Sequence, residues 1–140
     1  MASENGDRRK YELLEDDYIL VGLRKLYRIR ALRDFRDVKF GDLGGYIECE
    51  DNLSHKGSCW VYQEAKVYDH AAIVDSAQIR GFAKIRGYAL VKNRASVYGL
   101  SEVYGNAVIG DTVEVCGKVT IGGRSHITGD IRITGRGCII

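Results

Sequence analysis

The stretch Val61-Tyr-Gln-Glu-Ala-Lys, Val67-Tyr-Asp-His-Ala-Ala, Ile73-Val-Asp-Ser-Ala-Gln, Ile79-Arg-Gly-Phe-Ala-Lys decides the fold, because it opens a period that runs on to Ile139. Stepping by six from Val61 gives Val67, Ile73, Ile79, Ile85, Val91, Val97, Val103, Ile109, Val115, Ile121, Ile127, Ile133 and Ile139, and all fourteen positions are Val or Ile. Two places after each comes Gln63 and then twelve residues that are all Gly, Asp or Asn. These types tolerate a left-handed backbone. Four places after comes a small residue in most repeats, as at Ala65, Ala71, Ala77, Ala83, Ala89, Ala95, Ser101 and Ala107. Each hexad therefore reads as a short strand with a β-branched residue inward, a turn, and a small residue at the corner. A period of six is too short for a helix-containing repeat. Three hexads, or 18 residues, close one triangular coil of a β-solenoid, and residues 61–140 make roughly four and a half coils, a prism about 20 Å tall at the usual strand spacing.

Composition agrees. The chain of 140 residues has 17 glycines and no proline, as expected when turns need positive φ and nearly every strand is hydrogen-bonded on both edges. Length gives one domain. A net charge of +2 gives no strong pull toward nucleic acid, so specific nucleic-acid binding is not expected. No apolar run is long enough to span a bilayer, so no membrane partner is expected. The N-terminus lacks an apolar signal core, which makes a cytoplasmic location the expectation. Cys49, Cys59, Cys116 and Cys138 fit no Cys-x-x-Cys spacing and read as reduced structural thiols.

Ile109-Gly-Asp-Thr-Val-Glu114 and Ile121-Gly-Gly-Arg-Ser-His126 resemble the hexads of the hexapeptide-repeat, left-handed parallel β-helix proteins. The left hand is what the resemblance implies; the general crossover rule would favour the right. Leu26-Tyr-Arg-Ile-Arg-Ala-Leu-Arg-Asp-Phe35, Gly41-Asp-Leu-Gly-Gly-Tyr-Ile-Glu48 and Asn52-Leu-Ser-His-Lys-Gly-Ser-Cys-Trp-Val61 resemble a narrower set, the YdcK-like β-helix proteins common in bacteriophage and prophage. That resemblance covers roughly residues 10–140. It implies a phage or prophage β-helix module in the host cytoplasm, with countering of a host system as one conceivable role.

The expected organisation is a flexible tail at 1–9, an N-terminal β cap at 10–45 and a β-helix of about five coils at 46–140. Within the cap, Tyr11–Leu14, Tyr18–Val21 and Leu26–Leu32 read as short strands, with Glu15-Asp16-Asp17 as a solvated turn. A cap protects the unpaired edge of a solenoid end. Ile47 and Leu53 start a first coil slipped by two residues before Trp60-Val61. Past Ile140 no second cap is seen, so the last coil is expected to fray or to meet another subunit.

Sorting the outward residues by 18 gives three faces. The first carries Trp60, Tyr62, Gln78, Arg80, Ser96, Tyr98, Glu114, Cys116, Arg132 and Thr134. The second carries Lys66, Tyr68, Lys84, Arg86 and Tyr104, a candidate ligand face on which aromatic planes and cations could hold a nucleotide-like ligand, or form a surface ladder that satisfies itself. On the third, Ala72, Leu90 and Val108 fall in one column with Val74 beside them. An apolar strip of this kind marks a partner surface, and the simplest partner is a second or third copy, giving a homodimer or homotrimer. The competing reading is a strip covered by the chain's own cap.

The resemblance to hexapeptide-repeat acyltransferases implies a histidine base near a subunit interface and an acetyl-CoA type of donor. His126 is the candidate, in the column of Leu90 and Val108, but the sequence names no orienting partner for it. The carbonic-anhydrase branch of the fold needs a His-x4-His pair, which His55, His70 and His126 cannot supply, so no metal is expected. The expectation is a non-enzymatic module without a cofactor that binds a host or phage protein or a small ligand. The alternative is a small acyltransferase using His126.

Overall fold

A computed structural model describes residues 9–140 of the chain. It is an all-β protein that winds as a left-handed parallel β-helix of about five turns. The three longest elements come first. Strand β1 (Tyr11–Val21) and strand β2 (Arg24–Ala31) form an antiparallel hairpin, and β3 (Leu43–Ile47) pairs antiparallel with β2. On its other edge β3 is a parallel rung of the solenoid, with Tyr46 opposite Lys66 and Ile47 opposite Val67. Fourteen strands of two to four residues follow among the described residues, from Trp60–Val61 to Arg136–Ile139. They stack into sheets of eight strands (including the hairpin), five strands and four strands.

The register is 18 residues throughout the regular coils: Val61 opposite Ile79, Val67 opposite Ile85, Ile73 opposite Val91. The first coil is longer by two, since Ile47 faces Val67 and Leu53 faces Ile73. The extra residues lie between Leu53 and Val61, where the hexad is eight residues long. Rung-to-rung hydrogen bonds run along every side, for example Lys66 N–H to Ala83 O at 2.9 Å and Lys84 N–H to Ser101 O at 3.0 Å. A proline here would delete such a bond, which accounts for its absence.

All thirteen turn positions have positive φ, from Asp111 at 51° to Gly129 at 103°, with Gln63 at 60°. Most of these corners close with an i to i+3 bond, such as Ala65 N–H to Tyr62 O at 3.1 Å. Positive φ at the first central residue alone is the type II′ pattern. The inward Val and Ile side chains from Val61 to Ile121 are fully buried, and the corner alanines fill the apices.

The hairpin covers the first coil. Tyr11, Ile29, Ala31 and Val38 join the core, and Phe35 meets Trp60 edge-on at 5.1 Å. The cap is more continuous than its sequence suggests. Tyr11–Leu14 and Tyr18–Val21 are one strand, interrupted by a bulge between Leu13 and Tyr18 that holds the exposed Glu15-Asp16-Asp17 run. Bulges of this kind accommodate extra residues without ending the pairing. The remaining expected strand lies at Arg24–Ala31, and the two-residue turn is Gly22-Leu23, with φ 62° at Gly22.

A clasp ties the start of β1 to the first coil. The His55 ring stacks on Tyr11 at 4.1 Å, and its Nδ1 accepts the Lys10 backbone N–H at 3.1 Å. That leaves Nε2–H to donate to Glu50 at 2.8 Å, while Arg9 pairs with the same carboxylate at 2.9 Å. The Lys10 ammonium is buried and donates to Cys59 O at 2.6 Å and Cys59 Sγ at 3.2 Å. Burial pushes the Lys10 pKa down and the Cys59 pKa up. Of the expected tail at 1–9, residues 1–8 lie outside the described residues. Among the described residues no helix is long and apolar enough to cross a membrane.

Candidate functional site

The third face is the four-stranded sheet. Ala72, Leu90, Val108 and His126 are register partners on successive rungs, so the solenoid places them in one straight column. Ala72, Val74, Leu90 and Val108 are half-buried. The cap packs elsewhere. In the segment between β2 and β3, Asp37 accepts a hydrogen bond from Tyr62 on the first face at 2.8 Å, and from the hairpin Leu26, Ile19 and Val21 cover Tyr68 on the second. The two buried clusters that include hairpin residues contain none of Ala72, Val74, Leu90 and Val108. His126 is exposed at the end of the column and has no hydrogen-bond partner among the described residues.

The second face brings Lys66, Tyr68, Lys84, Arg86 and Tyr104 onto one sheet, as the spacing requires. Their surroundings differ from one another. Tyr68 is buried under the hairpin, and burial raises its pKa. Arg86 lies over the Tyr104 ring at 4.6 Å and bonds Glu102 at 2.5 Å, which raises the guanidinium pKa further. The Tyr104 ring in turn lies on Gly122, where a Cβ would stand 2.4 Å from the ring. A side chain at 122 would displace the Tyr104 ring from this position. Lys66 and Lys84 sit on adjacent rungs, and burial followed by the Lys84 charge pushes the Lys66 pKa down.

The first face repeats the motif. Arg80 stacks over Tyr62 at 4.4 Å and bonds Gln78 at 3.0 Å. Burial and the bond to Asp37 push Tyr62 up to about 12. Tyr98 donates to Glu114 at 3.0 Å. Cys116 is held below the usual thiol range, first by its hydrogen bond with Thr134 and then by Tyr98 and Arg132. Trp60 and Tyr68, outward in the sorting by 18, are buried because the cap lies over them.

Two features were missed in the sequence. Glu102 is the partner of Arg86, sixteen residues on, and Glu114 stands in the same relation to Tyr98. A spacing of sixteen, one coil less two, was visible as a diagonal neighbour across the rung. The second is Arg28, whose guanidinium lies 4.3 Å over Tyr46 and donates to Gly44 O at 2.8 Å, locking β2 onto β3. No repeat passes through the cap, so nothing signalled that contact.

A stubby parallel β-helix with outward ladders and an N-terminal hairpin is the class this geometry defines. No protein-family model matches the chain. The chain is similar to a protein of Escherichia coli (strain K12) named uncharacterized acetyltransferase YdcK, with 40% identity over 63 residues. That alignment takes in 40% of this chain and 19% of YdcK, so the match spans about a fifth of the relative's length. Likeness and coil geometry together fit a hexapeptide-repeat β-helix.

Proposed function

We propose that the chain is a non-enzymatic interaction module that works as a homo-oligomer through its third face. The observation that carries this reading is the straight column of Ala72, Leu90 and Val108, half-buried and outside the cover of the hairpin. Outward polar groups on the other faces largely satisfy one another, as Arg86 with Glu102 and Tyr98 with Glu114, whereas an apolar strip gains only from burial, at about 25 cal/mol per Å². A flat strip of this kind suits a dimer or trimer with closed symmetry. Within this reading the module serves a phage or prophage in the host cytoplasm, needs no cofactor, and holds a host protein, a phage protein or a small nucleotide-like ligand on the remaining surface, with Lys66, Lys84, Arg86 and Tyr104 as the ligand face; Tyr68 drops out of that face because the hairpin buries it.

The test is mass in solution. Leu90→Asp or Val108→Asp shifts the species seen by light scattering to the monomer while the circular dichroism spectrum stays that of the unmodified chain. An unchanged mass removes the third face as the self-association surface.

A second reading is favoured by the likeness to YdcK, whose name describes an acetyltransferase. Here His126, at the end of the apolar column, acts as general base at the subunit contact and takes a proton from an acceptor hydroxyl or amine, with acetyl-CoA as donor. A base needs a group to orient it, which in this reading a neighbouring copy supplies. Calorimetry with acetyl-CoA followed by an acyl-transfer assay separates the two. Transfer that disappears in His126→Ala supports the enzyme, and absence of binding at high ligand concentration supports the module.

A further inference from the structure

We infer that the corner between the five-stranded and eight-stranded sheets is a docking groove for an acidic peptide segment that carries an apolar side chain. The corner follows the turn glycines Gly81 and Gly99, and the next residue on each rung projects outward. Those residues are Phe82 and Leu100, 57% and 59% exposed, on adjacent coils about 4.8 Å apart. Lys66, Lys84, Lys118 and Glu102 line the same groove, whose volume is about 350 Å³. Two large apolar side chains left in water at one corner are an unsatisfied surface, and three ammonium groups beside them set the sign of what can cover it.

The groove carries an excess of positive charge. Among the described residues that line it Glu102 is the one carboxylate, and Arg86 already holds it at 2.5 Å. Among the described residues no carboxylate pairs with Lys66, Lys84 or Lys118; the Lys66 ammonium reaches only the Glu64 carbonyl, at 3.2 Å. Lys66 and Lys84 face each other on neighbouring rungs, an arrangement that a bound carboxylate would relieve. An occupant must therefore bring negative charge and an apolar group together. Single-stranded nucleic acid brings charge, but successive bases need successive aromatic or guanidinium planes, and on the rung next to Phe82 the groove presents Leu100 instead. Compact lysine charges flanking aliphatic and aromatic side chains suit carboxylates alternating with apolar side chains on an extended peptide, whose successive side chains point to opposite sides. This surface is distinct from the third face, and the inference holds whether or not that face self-associates.

Fluorescence anisotropy with the full chain tests it, using a labelled synthetic peptide of alternating Asp and Phe. A poly-Glu peptide of equal length serves as the charge-only control and oligothymidine as the nucleic-acid control. Saturable binding of the Asp–Phe peptide is expected, weakened about tenfold by Lys84→Glu through like-charge repulsion and about tenfold by Phe82→Ser through loss of the apolar anchor. Leu100→Ser and Lys118→Glu repeat the two arms at other exposed positions, with circular dichroism to verify folding. Absence of saturable binding overturns the proposal. So does poly-Glu binding as tightly as the Asp–Phe peptide, tighter binding of oligothymidine, or indifference to all four groove substitutions.

Discussion

The solenoid makes the same corner in two ways. At Gly81, Gly99 and Gly117 the turn residue is glycine, and the backbone of the next coil stands where a side chain would begin: a Cβ on Gly99 would lie 2.8 Å from Gly117 O. At Asp75, Asn93 and Asp111 the turn residue has a side chain and φ values of 59°, 58° and 51°. There the side-chain oxygen reaches up one coil and accepts the N–H of the equivalent residue. Asp75 accepts from Asn93 at 3.0 Å, Asn93 from Asp111 at 2.9 Å and Asp111 from Gly129 at 2.8 Å. One corner is held by close backbone stacking that only glycine permits. The other exchanges some conformational ease for a hydrogen-bonded ladder along the prism edge. Equal φ thus conceals different reasons for intolerance to substitution.

The sharpest way to break the glycine corner is Gly99→Val. It places a β-branched residue at φ 75° and drives its Cβ into Gly117, so unfolding stability falls by about 3 kcal/mol or more. Urea titration followed through Trp60, the single tryptophan, measures it. At the other corner Asn93→Ala removes an acceptor and leaves an L-residue without polar help at positive φ, for a loss of about 2 kcal/mol. Asn93→Gly restores backbone ease but not the acceptor, and the same titration shows a loss of about 1 kcal/mol or less. If Asn93→Gly is as damaging as Asn93→Ala, the hydrogen bond outweighs the backbone term. The smallest effect is at Gln63, the one turn residue outside the Gly, Asp and Asn set. Its Oε1 accepts Gly81 N–H at 2.7 Å, the same bond made with a longer arm. Gln63→Asn keeps the acceptor on a residue better suited to this backbone and raises stability by about 0.5 kcal/mol.

These corners also explain why the coils were legible in the sequence. Positive φ restricts residue choice, and a buried β-branched rung restricts it again four residues later, so both leave a period of six. Even the slip of two residues before Trp60-Val61 is visible as a break in that period. The cap leaves none. Its bulge at Leu13–Tyr18, the Arg28–Tyr46 stack and the His55 clasp join residues 9 to 45 apart through contacts particular to one place. The candidate faces stand between these cases. Sorting by 18 assigns Ala72, Leu90, Val108 and His126 to one column, and Lys66, Lys84, Arg86 and Tyr104 to one sheet. Direction says nothing of cover, however, so the burial of Trp60 and Tyr68 under the hairpin could not be read, nor could the capture of Glu102 by Arg86.

The constant offset between rungs, Val67 with Ile85 and Val103 with Ile121, makes chain length count in whole steps. Deleting six residues from the regular coils would keep every later strand buried but rotate each later residue onto the next side of the prism, so that His126 would leave the column of Leu90 and Val108. Deleting eighteen would remove one complete coil and return every side to its own place. Lineages of such a protein can therefore change height by whole coils while keeping a surface, or rearrange their surfaces by thirds of a turn while keeping the core.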